Sequence, residues 1–413
     1  MDGTSDDLTG LVDQLRRDRR TDPYRGRREY SQAARDLADR CTALIAAGDA
    51  ATVVPVLRKA VDRMTTALMY MDDSSGVVGD DLQQIMELYA RACIAAPQNP
   101  RRLAGWLVKL ECDGPGWPRI VLRDFAPALG SPGLAEVERL VADRAETADP
   151  ESWIGLFAAR DLREQLAEVS GDIDRHVKVL AEQLTSAVQY ARIVDALRAA
   201  GRSGEAISWA RRGLGEKAGW PHADQLRDTL VVLLLEEGDS EAALAVRRAE
   251  FELHPTLDAF RAWVCTAVQA GAADPTSVAV ERLRQRAAEQ PIYASELVDV
   301  LMAVGEDGEA WTIGRANADR LGRQRWVGLI ERRSTTEPAD VIEPYQDLVE
   351  EQVGESGDKH RYRRALPLLS ALQAACRAAG QDDRFAAYLA DFRGRHRRRP
   401  TLIKTLDGAG FRA

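Results

Sequence analysis

Two stretches, "AGRSGEAISWARRGL" at 200–214 and "EGDSEAALAVRRAEF" at 237–251, repeat one pattern 37 residues apart. Gly201 matches Gly238, Ala206 matches Ala243 and Ile207 matches Leu244. "VGEDGEAWTIGRANA" at 304–318 carries the pattern again, with Gly305, Glu309, Ala310 and Trp311 in place. Looser versions stand at 46–60 and 378–392. Each reads as a helix, a glycine cap, one or two polar residues, and a second helix with a small residue early. The small residue lets two helices approach closely. A hairpin of this kind cannot bury its apolar face alone, so neighbours must stack. A unit of about 35 residues has the length of tetratricopeptide-type repeats, although their full consensus is absent. The expected fold is all-α, an α-solenoid of tetratricopeptide-like helical hairpins.

The rest of the chain agrees with helix almost everywhere. "AARDLADRCTALIAAG" places Ala34, Leu37, Cys41, Leu44 and Ala47 near one stripe, with Gly48 at the helix end. "AATVVPVLRKAVDRMTTALMYM" carries Val54, Leu57, Val61, Met64, Leu68 and Met71 in the same rhythm. No alternating, turn-bounded strand competes with these readings. "CDGPGWPRI" at 112–120 cannot continue a helix, and "AETADPES" at 145–152 is a softer break. The expected organisation is a polar and basic arm at 1–32, a helical module at 33–150, and a repeat array at 151–413 with a basic end.

Composition narrows the function classes. The net charge of −9 argues against a general nucleic-acid coat while leaving room for local basic patches. No apolar run approaches the ~18 residues of a membrane helix, so no membrane role is expected. The acidic, polar start "MDGTSDD" is no signal peptide, and a cytoplasmic protein is expected. The five cysteines form neither CxC nor CxxC and read as buried small apolar residues. No nucleophile-elbow, zinc-protease, Walker or Rossmann motif is present, so a non-catalytic chain without cofactor or metal is favoured over an enzyme.

The candidate sites follow from local charge. "MDDSSGVVGDD" at 71–81 gathers Asp72, Asp73, Ser74, Ser75, Asp80 and Asp81 between two helices. Its glycines fall wrongly for a calcium-binding helix–loop–helix, and position 12 of such a loop is not glutamate. It has no lysine for a phosphate loop, and its aspartates would repel phosphate. The favoured reading is a structural turn in which Asp80 or Asp81 caps the next helix. A partner-binding loop and a metal-binding loop are the alternatives. "FRGRHRRRP" at 392–400 supplies Arg393, Arg395, His396, Arg397, Arg398 and Arg399, for contact with nucleic acid or an acidic partner, or simply to close a helix end. "RRDRRTDPYRGRRE" at 16–29 is a second basic run, read as a solvated terminus or an arm. His360 in "GDKHRYRR" reads as a surface histidine. The eight tryptophans read as packing between hairpins.

Four stretches together resemble a known family. They are "DDSSGVVGDDLQQIMELYARACIAAPQNPRRLAGWLVKLECDGPGWP" at 72–118, "HPTLDAFRAW" at 254–263, "GDKHRYRRALPLL" at 357–369 and "FAAYLADFRGRHRRRPTLIKTLDGAGF" at 385–411. They resemble the helical region that follows the zinc finger in actinobacterial SWIM zinc-finger proteins. The resemblance implies an all-helical, tetratricopeptide-like body attached to a small zinc module. It also marks the 72–82 stretch as a characteristic element of that body. The finger's CxC and downstream CxH are absent here, so zinc and finger-mediated DNA binding do not carry over. The functional expectation is a scaffold that binds a protein or peptide on a concave face. The alternatives are a nucleic-acid accessory using arginine-rich ends and an enzyme with a pocket in the solenoid.

Overall fold

The computed structural model describes residues 2–16, 27–147, 153–182, 184–217 and 222–412. Among them every regular element is helical. The chain divides into two compact units, Met1–Arg227 and Asp228–Ala413. The first holds α1 (Asp2–Gln14), α2 (Arg27–Ala46), α3 (Ala50–Leu68), α4 (Val77–Ala95), α5 (Pro100–Asp113), α6 (Leu122–Thr147), α7 (Trp153–Val169), α8 (Ile173–Leu180), α9 (Ala187–Ala199) and α10 (Ser203–Lys217). The division falls within α11 (Ala223–Glu236). The second unit continues with α12 (Ser240–Leu253), α13 (Leu257–Gln269), α14 (Pro275–Glu289), α15 (Ala294–Val304), α16 (Asp307–Ala316), α17 (Ala318–Leu321), α18 (Arg323–Ser334), α19 (Ile342–Gly354), α20 (Arg361–Ala378), α21 (Asp382–Arg395) and α22 (Pro400–Gly408).

The turn chemistry of the repeat explains the hairpins. Gly238 adopts φ +80°, a region that costs an L side chain about 1–2 kcal/mol. Its own N–H donates to the Leu235 carbonyl, and the next N–H, of Asp239, reaches back to Leu234 at 2.8 Å. This closes the free carbonyls of the helix end. Asp239 then caps α12 by accepting from Ala242 N. The same reach-back bond recurs beside Gly48, Gly201 and Gly380, as expected from the sequence. It recurs also at Gly271, where the sequence reading identified no repeat. There the polar linker lengthens to "AADP" before Pro275 opens α14, which hid the period.

Within each unit, consecutive helices pack in pairs and each pair stacks on the next, as in an α-solenoid: α3 on α4, α5 on α6, α9 on α10, α15 on α16 and α19 on α20. The first unit's core runs from Leu8 through Leu57, Ile85 and Leu107 to Leu166. At its centre Tyr89 meets Trp106 edge-on at 5.1 Å. Trp106 donates to Asp62 at 3.0 Å, which satisfies its indole N–H. The second unit's core runs from Phe251 through Trp263, Leu301, Trp311 and Leu369 to Phe411.

Four expectations change. Part of the segment read as an arm is a docked helix: Leu8, Val12 and Leu15 lie in the first unit's core, and Tyr30 donates to the Leu15 carbonyl. Most of the basic run at 16–29 lies outside the described residues. The break at 112–120 separates α5 from α6, but packing continues past residue 150, because Ala158, Leu162 and Leu166 belong to the same core as Leu37. Four cysteines are buried, but Cys265 is exposed. Burial pushes the Cys41 thiol up to about 12 and those of Cys93 and Cys112 up to about 11. Trp106, Trp263 and Trp311 are buried, whereas Trp117 is exposed; the side chains of Trp153 and Trp220 lie outside the described residues.

Candidate functional site

The aspartate-rich loop is built to hold two helices. Asp73, not Asp80 or Asp81, caps α4: its carboxylate accepts from Val78 N at 3.2 Å and Gly79 N at 2.8 Å. The capping residue sits farther back than expected because Gly76, at φ +74°, turns the chain and lets Asp73 fold over the helix start. Asp72 accepts from Ser74 N at 3.1 Å and shapes the turn. Ser74, Ser75 and Asp80 are exposed. Asp81 lies inside, 6% exposed, one turn into α4. It accepts from the Ser31 hydroxyl and from Arg35 Nε at 3.0 Å, so it ties α4 to α2. The loop therefore contains a cap, a turn and an interhelical tie. The described residues hold no cluster of three potential metal ligands.

The C-terminal arginines are mostly engaged inside the second unit. Arg393 binds Asp407 at 2.8 Å and donates to the Phe411 carbonyl. Arg395 binds Asp391 and Glu350, and His396 lies 3.3 Å from Glu350. Arg399 donates to the Val353 carbonyl. Arg397 and Arg398 point into solvent. These contacts clip the end of α21 onto α19, so the cluster presents far less free charge than its sequence suggests. His360 is exposed, its backbone N–H bound to Asp358.

One carboxyl stands out by its environment. Glu111, at the end of α5, is pushed up to about 7, chiefly by burial and secondarily by the nearby Asp161 carboxylate. It accepts from Ile120 N at 3.1 Å and so holds the loop that follows. Gln165 secures the same loop, accepting from Leu122 N and donating to the Ile120 carbonyl. The arrangement is a loop anchor, and sequence reasoning passed over it because neither Glu111 nor Gln165 belongs to a motif.

An open concavity of about 870 Å³ lies in the second unit. Leu257 and Arg261 of α13, Asp299 and Met302 of α15, and Arg325 and Arg332 of α18 line it. α13 and α15 each open a hairpin and α18 packs beside α15, so the three line one concavity. Gly322 and Arg323 also line it. Each arginine leans on a carboxylate: Arg325 on Asp299 at 2.8 Å, Arg332 on Asp307 at 2.7 Å, Arg323 on Glu351 at 2.9 Å. Arg261 is only loosely held, 3.7 Å from Asp258. The signal that could have found this groove is the spacing back from the turn glycines. Met302 precedes Gly305 by three residues and Asp299 by six, and Val268 and Cys265 stand at the same offsets from Gly271.

Comparison with known proteins adds the following. The tetratricopeptide-repeat domain of P58(IPK) is 15% identical, with 92% of this chain and 97% of that one covered, at a TM-score of 0.22. Yeast Tom70 is 12% identical, with 97% and 99% covered, at a TM-score of 0.22. At such scores whole-chain superposition is poor, and the architecture rests on the packing described above. Among curated proteins none matches the sequence. A family model matches residues 19–268, more than half of the 413. The chain accordingly belongs to DUF6880, a family of unknown function.

Proposed function

We propose that this protein is a non-catalytic helical-repeat scaffold that binds a segment of another protein along the face that α13, α15 and α18 form in its second unit. The observation that carries the reading is the open groove across α13, α15 and α18. Stacked hairpins leave such faces available because each hairpin buries only its flanks against its neighbours. The aspartate loop is largely occupied by internal bonds, which favours the groove over it as the binding surface. The resemblance of 72–118 and 385–411 to the helical body of SWIM zinc-finger proteins supports the same role for the chain.

Gly328 supplies the test. It lines the groove, and a side chain added there meets nothing within 4 Å. Gly328→Trp should fold normally and fill the groove. Affinity capture from a native extract, with nuclease and at moderate salt, should retain a discrete protein on the wild type and lose it on the variant. Equal retention by both, or retention of nucleic acid alone, would overturn the proposal.

A further inference from the structure

We infer that a second cavity, between α12 and α14, binds a small monocarboxylate with an apolar body. This site is separate from the groove, with which it shares no lining residue.

The cavity holds about 350 Å³, at the lower end of the ~300–1,000 Å³ typical of small-molecule sites. Phe251 and Leu283, both buried, give it an apolar side. Glu252, Arg282, Arg286 and Glu289 give it charge. Glu252 and Arg282 satisfy each other at 2.7 Å. Arg286 differs: it is partly buried, and among the described residues no carboxylate pairs with it. It donates to the Glu252 carbonyl and, at 3.0 Å, to the Tyr293 hydroxyl, and its guanidinium lies 4.4 Å from the centre of the Tyr293 ring. The carbonyl stands in the last turn of α12 and so offers part of a negative charge, whereas tyrosine offers none. The Nε of Arg286 is buried with no acceptor.

A cation withdrawn from water is ordinarily paired, because desolvating it alone is costly. Arg286 therefore has charge left to neutralise, and it lines a cavity large enough for the anion. A guanidinium carries five N–H donors. Two serve Glu252 and Tyr293 and the Nε–H is enclosed, which leaves one on each terminal nitrogen. A carboxylate can accept one on each oxygen. Glu289 limits the ligand's charge: it lines the same cavity, is exposed, and makes no ion pair with Arg286. A dianion would be repelled by it more strongly than a single carboxylate. The body of the ligand would lie against Phe251 and Leu283, which favours an apolar one.

The test is calorimetric titration of the full chain with phenylacetate, phenylacetamide and inorganic phosphate. Phenylacetate should bind at least about tenfold more tightly than phenylacetamide, as a charge-assisted pair exceeds a neutral one. Phosphate should bind more weakly than phenylacetate. Two substitutions at exposed positions of the cavity vary its charge without touching the core. Glu289→Gln should tighten phenylacetate about twofold to fivefold, and Gln285→Glu should weaken it by a similar factor, both with unchanged circular dichroism. Arg286→Gln should abolish binding where circular dichroism shows it folded, and the two exposed variants decide the matter where it is not. Equal binding of phenylacetamide, tighter binding of phosphate, no binding of phenylacetate, or no response to the two exposed substitutions would overturn the inference.

Discussion

At the scale of single residues, the four aspartates of the 72–81 stretch have different roles, and they should answer differently to substitution. Asp81→Ala leaves the buried Ser31 hydroxyl without its acceptor and breaks the tie from α4 to α2. A loss of about 2 kcal/mol is expected in denaturant unfolding, because a buried polar partner is orphaned. Asp73→Ala removes the α4 cap and should cost about 1 kcal/mol. Asp80→Asn, at an exposed position, should change stability by only a few tenths of a kcal/mol. A uniform response across the three would contradict this division. The sequence made the acidic cluster and its capping role legible. It did not show which aspartate caps, because that depends on the left-handed Gly76 and on α2 lying alongside, 50 residues away in the chain for Ser31. Glu111 carries a pH signature. Its folded pKa stands above the ordinary carboxylate value, so the folded state holds the proton more tightly than the unfolded one. Stability should fall as pH rises from about 4.5 to about 7 and level off above. Glu111→Gln should flatten that slope and stabilise the protein at pH 8 by on the order of 1–3 kcal/mol relative to wild type. An unaltered slope in the variant would refute the assignment.

At the scale of elements, the hairpin is the unit that sequence and structure share. The glycine, the reach-back bond and the polar N-cap recur because each solves one problem, the four unpaired carbonyls at a helix end and the four unpaired amides at the next start. Gly238→Ala should therefore cost about 1–2 kcal/mol in strain alone, since no neighbouring atom obstructs an added methyl group there. Gly308→Ala, in the first turn of α16 and equally unobstructed without a left-handed φ, should instead stabilise slightly. Thermal melts of the pair decide the point, and similar shifts for both would argue against the turn mechanism. Helix type was readable throughout because the period of the apolar residues is strong. The docking of α1 was less readable: Leu8, Val12 and Leu15 make a short stripe beside a basic run, and only tertiary contact distinguishes a docked helix from an arm.

At the scale of the whole molecule, free charge and paired charge have to be separated before a surface is assigned a partner. The basic end at 393–399 looks available in sequence, but α19, α22 and the Phe411 carbonyl engage Arg393, Arg395, His396 and Arg399, leaving Arg397 and Arg398 in solvent. The groove arginines looked unremarkable in sequence, since Arg261, Arg325 and Arg332 are scattered over 70 residues and converge only when α13, α15 and α18 share a face. The proposed groove sits on that convergence, which explains why architecture was easier to read than the site.

Cys265 allows the central claim to be tested directly. It is the exposed thiol on α13, at the offset from its turn glycine that Asp299 has on α15, while the other four cysteines are buried. A photo-reactive maleimide will therefore label it selectively, and illumination in a native extract will cross-link whatever occupies the groove. The account predicts one discrete protein adduct that resists nuclease. Adducts no different from those of a Cys265→Ser, Ser75→Cys protein labelled at the aspartate loop would contradict it.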